Sequence, residues 1–102
     1  MTENQPLDYT TFASHLHSPF RVKLEPATEL QLIEAKDHST PRQEMFSLVF
    51  HGPREPFLAQ QNYPIHHDRL GAFDLFLVPI GKDEEGFRYE AVFNRLRQSA
   101  DK

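Results

Sequence analysis

The spacing of apolar residues changes from helical to alternating after Pro19. After Leu7, the apolar side chains of residues 8–16 fall at positions 9, 12, 13 and 16, the spacing that places them on one face of a short helix. Asp8 or Thr10 is suited to cap the start of this helix. Pro19 ends it, because the residue before a proline avoids the helical backbone conformation. The pattern predicts one short N-terminal helix.

The rest of the chain consists mainly of segments that alternate apolar and polar residues, as strands with one buried face do. Strands are predicted for residues 20–24, 30–36, 44–51, 61–66, 70–78 and 87–94. In the third strand Phe46, Leu48 and Phe50 share the face expected to be buried. Pro64 in the short fourth strand has no amide to donate to a ladder, so it belongs at an edge or beside a bulge.

These elements predict a mainly β fold, a small curved antiparallel sheet or barrel of five to six strands with one N-terminal helix. Such a sheet protects its edges best by closing, with the helix plugging one end. Residues 81–86 are expected to form an acidic hairpin loop between the last two strands. With 102 residues, the chain has room for one domain. We place it at residues 7–96, between a disordered N-terminus of residues 1–6 and a polar tail of residues 97–102.

The composition excludes more functions than it suggests. The chain has no Cys, and it therefore has no disulfide, thiolate metal site or cysteine nucleophile. Its first residues lack the basic and apolar regions of a secretion signal, and no apolar run approaches a membrane span. We therefore expect a cytoplasmic protein without a membrane partner. The net charge is −4 with both signs interspersed, so we expect no nucleic-acid partner either.

Three segments of the chain resemble an uncharacterised bacterial family. They are FSLVF-x-GP at residues 46–53, LGAFDLFLVPIG at residues 70–81 and YEAVFNRL at residues 89–96. A weaker similarity at residues 11–16 extends the resemblance, with gaps, over residues 7–96. The resemblance implies no catalytic residue. Through an association of the family with phage-tail-like structural genes, it implies a structural or assembly function.

His66, His67 and Asp68 are the densest group of candidate metal ligands. Two His and one carboxylate suit a transition metal if the segment is a loop. If the segment is a strand, neighbouring side chains point to opposite faces and do not bind one ion. Polar surface histidines are the simpler interpretation, and we expect no metal and no other cofactor.

The sequence contains no group of side chains that indicates catalysis. Ser47 has no base near it in the sequence, and no Gly-x-Ser-x-Gly elbow is present. Asp83, Glu84 and Glu85 lie at the expected hairpin tip, where a carboxyl group lacks the burial that prepares it for acid catalysis. We therefore expect that the chain is not an enzyme.

The strand at residues 70–78 motivates an interaction hypothesis. If Phe73 and its alternating neighbours face the core, then Asp74, Phe76 and Val78 share the outer face. A strand that is apolar on both faces is expected to be covered on the second face, by the helix or by another subunit. The Asp74 carboxylate would then pair with Arg88 or Asn94 on the adjacent strand. Asp74, Phe76, Val78 and Arg88 are therefore the candidate interface residues.

We predict a non-enzymatic interaction or assembly module that binds a protein partner or a second copy of itself. One alternative is a small barrel that holds an apolar ligand in its interior. The other is a metal-dependent hydrolase that uses His66, His67 and Asp68. The sequence alone leaves all three functions open.

Overall fold

The computed structural model describes residues 7–25 and 27–96, which form a closed antiparallel barrel with one helix. Helix α1 spans Tyr9–Ala13. The strands are β1 Pro19–Val22, β2 Thr28–Asp37, β3 Gln43–Gly52, β4 Gln61–His67, β5 Gly71–Asp83 and β6 Gly86–Leu96. Their order around the barrel is β1-β2-β3-β6-β5-β4. The predicted fold class is confirmed. The predicted N-terminus at residues 1–6 and the tail at residues 97–102 lie outside the described residues.

A short seam between β1 and β4 closes the barrel. Only Arg21 and Val22 of β1 pair with β4, opposite His66 and Ile65. Just past this pairing, the Lys23 N–H donates a hydrogen bond to the Pro64 carbonyl (2.8 Å). A strand residue directs its N–H and its C=O to the same side. The missing N–H of Pro64 therefore faces the seam at the point where the pairing of β1 with β4 ends.

Alternating inward residues of all six strands fill the barrel. Phe46, Leu48 and Phe50 of β3 are buried as predicted. The largest fully buried side chains are Tyr89, Phe12, Phe20, Phe46, Phe50, Leu30, Leu32, Leu48, Ile65, Leu77 and Val22. Aromatic rings therefore occupy much of the interior, and this packing weighs against the alternative of a barrel that encloses an apolar ligand.

Both ends of the barrel are closed by side chains from connecting segments. At one end the fully buried Phe12 of α1 contacts four other phenylalanine rings at centroid separations of 5.4 to 6.3 Å. At the other end Leu58, in the connection between β3 and β4, is buried. Its N–H donates to the Tyr89 hydroxyl (3.0 Å). The helix plugs one end as predicted, and the polar connection supplies a second plug that the sequence did not indicate.

Helix α1 is shorter than the sequence pattern predicts. It begins after Asp8, whose carboxylate accepts a hydrogen bond from the Thr11 N–H (2.9 Å). That bond is the main reason why the pKa of Asp8 lies below its usual value. The helix ends at Ala13, and the following turn contains His17 in the left-handed conformation (φ 71°). The chain can therefore reverse direction and enter β1 at Pro19.

The hairpin between β5 and β6 is tighter than the predicted loop at residues 81–86. β5 continues to Asp83 and β6 begins at Gly86, which leaves Glu84 and Glu85 as the loop. The Asp83 carboxylate accepts hydrogen bonds from the N–H groups of both Glu85 (2.8 Å) and Gly86 (3.0 Å). A Cβ at position 86 would overlap the backbone carbonyl of Gly52. The hairpin therefore depends on an aspartate that binds the turn and on a glycine that permits close approach to β3.

We expect Gly86→Ala to lower the free energy of unfolding by about 1–3 kcal/mol or more, because the methyl group meets backbone that cannot easily move. Urea denaturation measures the change. Gly71→Ala is the matched control. Gly71 has a positive φ of 83°, but a Cβ there meets nothing within 4 Å, so about 1–2 kcal/mol is expected. A loss at position 86 no larger than that at position 71 would contradict the close approach.

We expect Phe12→Ala to cost about 3–5 kcal/mol of stability, since the plug is fully enclosed and its removal leaves a cavity among rings. Phe57→Ala is the matched control, because Phe57 is 52% exposed. We expect the control to cost about 1 kcal/mol or less. Both variants are compared with the parent by chemical denaturation. Equal losses would show that Phe12 is not a principal element of the core.

Candidate functional site

The structure separates the three residues of the predicted metal site. His66 points outward, whereas His67 points into the barrel and is only 3% exposed. Asp68 lies in the turn that follows and forms an ion pair with Arg21 of β1 (3.0 Å). In the part of the chain that the structure describes, no group of three His, Cys, Asp or Glu residues is placed to hold a metal ion. The geometry therefore gives the proposed metal-dependent hydrolase no support.

His67 instead connects the end of β4 to the segment between α1 and β1. Its Nδ1 accepts hydrogen bonds from the N–H groups of Arg69 (3.0 Å) and Leu70 (3.2 Å). Because Nδ1 accepts, the proton of the neutral ring is on Nε2, which donates to Ser18 Oγ (2.9 Å). Ser18 Oγ donates in turn to the His15 carbonyl (2.6 Å). We call this chain of bonds the His67 anchor.

A Ser–His pair at this distance invites comparison with a hydrolytic triad, but the direction of the hydrogen bond is opposite. A general base needs an unprotonated Nε2 to take the serine proton, with an Nδ1–H that donates to a carboxylate. Here the N–H donors at Nδ1 place the ring proton on Nε2. The serine oxygen is then the acceptor, and its own proton is directed to a carbonyl. The His67 anchor therefore holds elements together and does not activate Ser18.

The surroundings of His67 favour its neutral form. Burial is the largest cause of its lowered pKa, followed by His15, whose ring lies edge-on at 4.8 Å. Asp68 opposes the shift, while His66 and Arg69 add to it. Protonation would also place a hydrogen on Nδ1 against two N–H donors. Acid is therefore expected to break the hydrogen bonds from the Arg69 and Leu70 N–H groups to the His67 ring.

The sequence pattern contains one signal for the inward position of His67. Tyr63 and Ile65 are inward residues of β4, and His67 continues their alternation. The partner Ser18 is 49 positions away in the sequence, so only the closure of β4 on β1 brings the two together. The prediction that His66 and His67 point to opposite faces on a strand agrees with their burial.

Arg88, a candidate interface residue, is held by the β5–β6 hairpin. Its guanidinium lies 3.2 Å from the Asp83 carboxylate, which also contacts His51 Nε2 at 3.3 Å. The hydrogen bond from the Glu85 N–H is the largest cause of the lowered pKa of Asp83, and the bond with His51 adds to it. The Arg88 guanidinium is therefore already paired within the hairpin.

The predicted pairing of Asp74 with Arg88 or Asn94 is wrong. Asp74 lies opposite Pro64 of β4, whereas Arg88 lies opposite Gly81, much farther along β5. Asn94 accepts a hydrogen bond from the Gln43 side chain. The register of the β5–β6 hairpin therefore places Arg88 far from Asp74, and the Asn94 side chain is bonded to Gln43 instead. Asp74 is exposed and has no ion pair among residues 7–25 and 27–96.

Phe76, Val78 and Val92 form what we call the outer apolar surface. Val78 lies opposite Glu90 in the ladder between β5 and β6, and the next outward residues along the two strands are Phe76 and Val92. Phe76 is 47% exposed and Val92 is 63% exposed. The expectation that α1 covers this face is wrong, because the helix inserts Phe12 into the barrel interior. Within the described chain, the outer apolar surface is open to solvent.

The ladder between β5 and β6 stops at Val78 and Glu90, although both strands continue. From Gly71 to Leu77, β5 pairs only with β4, and from Ala91 to Leu96, β6 pairs only with β3. We call the gap between these two segments the β5–β6 opening. It faces the same end of the barrel as the helical plug.

Phe73 of β5 and Phe93 of β6 line the β5–β6 opening. They belong to the inward rows of their strands, yet both are only partly buried, whereas Leu75 and Ala91 further along these rows are buried. The ring of Phe12 lies 5.8 Å from Phe73 and 5.4 Å from Phe93. Aromatic core residues are therefore accessible where the two strands diverge.

Residues 7–93 of the chain match the model of a family described as Domain of unknown function (DUF6916). The chain belongs to this family. The predicted membership of an uncharacterised family is confirmed. The matched region includes α1, β1 to β5 and most of β6, so the helical plug and both sides of the β5–β6 opening are within it. No curated protein and no solved structure shows significant similarity to the chain.

The only helix in the described residues has five residues, and none there is long and apolar enough to span a bilayer.

The His67 anchor predicts a pH dependence of stability. The pKa of His67 is lowered in the folded chain from the ordinary value of 6.5. Between the folded pKa and 6.5 the unfolded chain binds more protons, so the free energy of unfolding rises with pH in this window. The contribution of His67 is complete above about pH 6.5 and is lost as the pH falls through the folded pKa.

We expect urea denaturation to show lower stability at pH 5 than at pH 7.5. His67→Asn is expected to reduce this difference, because its side-chain oxygen can still accept the N–H groups of Arg69 and Leu70 but does not titrate. His38→Asn, at an exposed loop position, is expected to keep the dependence of the parent. If His67→Asn loses stability in acid as steeply as the parent does, His67 is not the titrating group.

Proposed function

We propose that this chain is a non-enzymatic protein-interaction module that binds its partner through the outer apolar surface. The exposure of Phe76 and Val92, the outward residues that follow the last β5–β6 pair of Val78 and Glu90 on their two strands, carries the proposal. A cluster of exposed apolar side chains is uncommon on a protein that binds nothing there. Aromatic residues are also enriched among those that dominate binding energy at interfaces.

The charges around the outer apolar surface support a basic partner. Asp74 and Glu90 border it, and neither carboxylate has an ion pair among the described residues. The neighbouring cations are already engaged, Arg88 with Asp83 and Arg95 with Glu44. A partner that presents apolar side chains beside Lys or Arg would cover the apolar side chains of this surface and pair with its two carboxylates.

The same charges favour a different protein over a second copy of this chain. In a twofold symmetric dimer the two copies use the same surface patch. Asp74 and Glu90 of one copy would then approach the same carboxylates of the other, and like charges brought together disfavour association. We therefore propose a hetero-complex, and self-association is an outcome that the experiment below must be able to reveal.

The polar groups that are best suited to chemistry have structural partners, which fits a function without catalysis. Ser18 and His67 belong to the anchor, and Asp83 organises the hairpin. We place the module in a cytoplasmic assembly of the phage-tail-like kind. The sequence blocks at residues 46–53, 70–81 and 89–96 support this setting through their resemblance to the uncharacterised bacterial family.

Site-specific photo-crosslinking tests the proposed surface. A photoreactive phenylalanine analogue is placed at position 76 in one sample and, as a matched control, at position 57 in another. Both phenylalanines are about equally exposed, at 47% and 52%. We expect one defined partner to crosslink in cells from position 76 and not from position 57. A crosslinked dimer of this chain, or the same products from both positions, would contradict the proposal.

Binding of the purified partner then measures the energetic contribution of the surface. We expect Phe76→Ser and Val92→Glu each to raise the Kd at least tenfold, because each removes apolar area that the complex buries. Phe57→Ser is expected to leave the Kd unchanged. All three variants must retain the chemical denaturation midpoint of the parent within a small margin. Unchanged affinity in both surface variants would remove the outer apolar surface as the binding site.

A further inference from the structure

The β5–β6 opening contains a length of strand edge without a neighbouring strand. β5 pairs with β4 throughout Gly71–Leu77, so one of its edges is covered, but no residue of that segment pairs with β6. Alternate residues of a strand direct their N–H and C=O groups to each edge. An edge of this kind is a template for another extended chain. A closed barrel therefore retains one segment that is able to accept a strand.

The two sides of the opening are not equivalent. On β6, the Arg95 guanidinium donates to the Leu7 carbonyl (2.7 Å) and lies over the rings of Phe46 and Phe93 at 6.0 and 5.7 Å. The chain's own N-terminal segment thus reaches the end of β6. Among the described residues, the N-terminal segment contacts residues 71–77 through the packing of Phe12 against Phe73 on the inward face, and the backbone of this edge does not pair with β6. The β5 edge is the more available of the two.

We propose that the partner binds by adding an extended segment to the β5 edge at Gly71–Leu77, within the β5–β6 opening. This inference rests on the proposed function and specifies how the partner is held. Main-chain pairing would provide affinity, and alternate side chains of the added strand would provide specificity.

The side chains at the opening define the chemistry of this segment. Its inward residues would cover the accessible rings of Phe73 and Phe93, so they are apolar or aromatic. Its outward residues would lie beside Phe76 and Asp74. As cross-strand neighbours, Phe76 favours an apolar residue and Asp74 favours Lys or Arg. The predicted ligand is therefore a β-forming segment that is apolar on one face and carries a basic residue on the other.

Selection from a random ten-residue peptide library on the folded chain provides the probe. We expect the enriched peptides to alternate apolar residues and to contain Lys or Arg at an outward position. On binding, amide hydrogen exchange should slow within residues 71–77. A selection that enriches no peptide, or a peptide that protects amides elsewhere and not in this segment, would overturn strand addition.

Backbone methylation of a selected peptide separates strand addition from side-chain docking. One synthetic version carries N-methyl groups on the even residues, and the other carries them on the odd residues. Because only one set of N–H groups faces β5, we expect one version to bind at least tenfold more weakly and the other to bind nearly as well as the parent peptide. Equal losses, or no loss in either version, would overturn the proposal.

Charge reversal tests the predicted basic residue. Asp74→Lys is expected to lower the affinity for the selected peptide about threefold or more, since an attractive charge beside the basic residue becomes a repulsive one. Glu29→Lys is the matched control, because Glu29 is also exposed on a strand but lies on β2, and it should leave the affinity unchanged. Equal effects of the two variants would contradict a basic residue beside Asp74.

The outcome also separates this inference from the proposed function. A partner that crosslinks from position 76 but leaves the amides of residues 71–77 unprotected would overturn strand addition and leave the interaction module in place. Loss of both signals would remove both proposals.

Discussion

The barrel depends on the enclosure of the Phe12 ring. A five-residue helix has little stability of its own in water, and α1 persists because Asp8 caps it and Phe12 is buried among Phe20, Phe46, Phe73 and Phe93. These four rings come from β1, β3, β5 and β6. One side chain thus joins strands that are not all neighbours around the barrel. In a chain without disulfide bonds, this aromatic cluster is the main connection between the helix and the sheet.

The plug lies at the place where the β5–β6 ladder ends. Phe12 contacts both Phe73 and Phe93, on the two strands that separate after Val78 and Glu90. The His67 anchor fixes the segment next to the helix, so a change in its protonation bears on the same end of the barrel.

The alternating pattern predicted most of the fold, because one face of every strand is buried. It placed Phe46, Leu48 and Phe50 in the core and identified all six strands within a few residues. It did not predict the length of the final hairpin, since Asp83 binds the turn through backbone groups that no periodicity reports. The supposed pair of Asp74 with Arg88 was wrong because the tight turn at Glu84 and Glu85 sets the register of the hairpin and places Arg88 opposite Gly81. Ser18 and His67 meet only through barrel closure, which a local pattern does not specify.

An unpaired strand edge on a small barrel is able to bind a strand of another protein, but it is also able to pair with a copy of itself. In this chain Asp74 lies in the middle of the accessible β5 segment, next to the exposed Phe76. A charged residue at such a position opposes homotypic pairing, since two edges in register bring like charges together. The same carboxylate attracts a strand that carries Lys or Arg. In the proposed complex, one residue therefore opposes self-assembly and favours a partner strand that carries Lys or Arg.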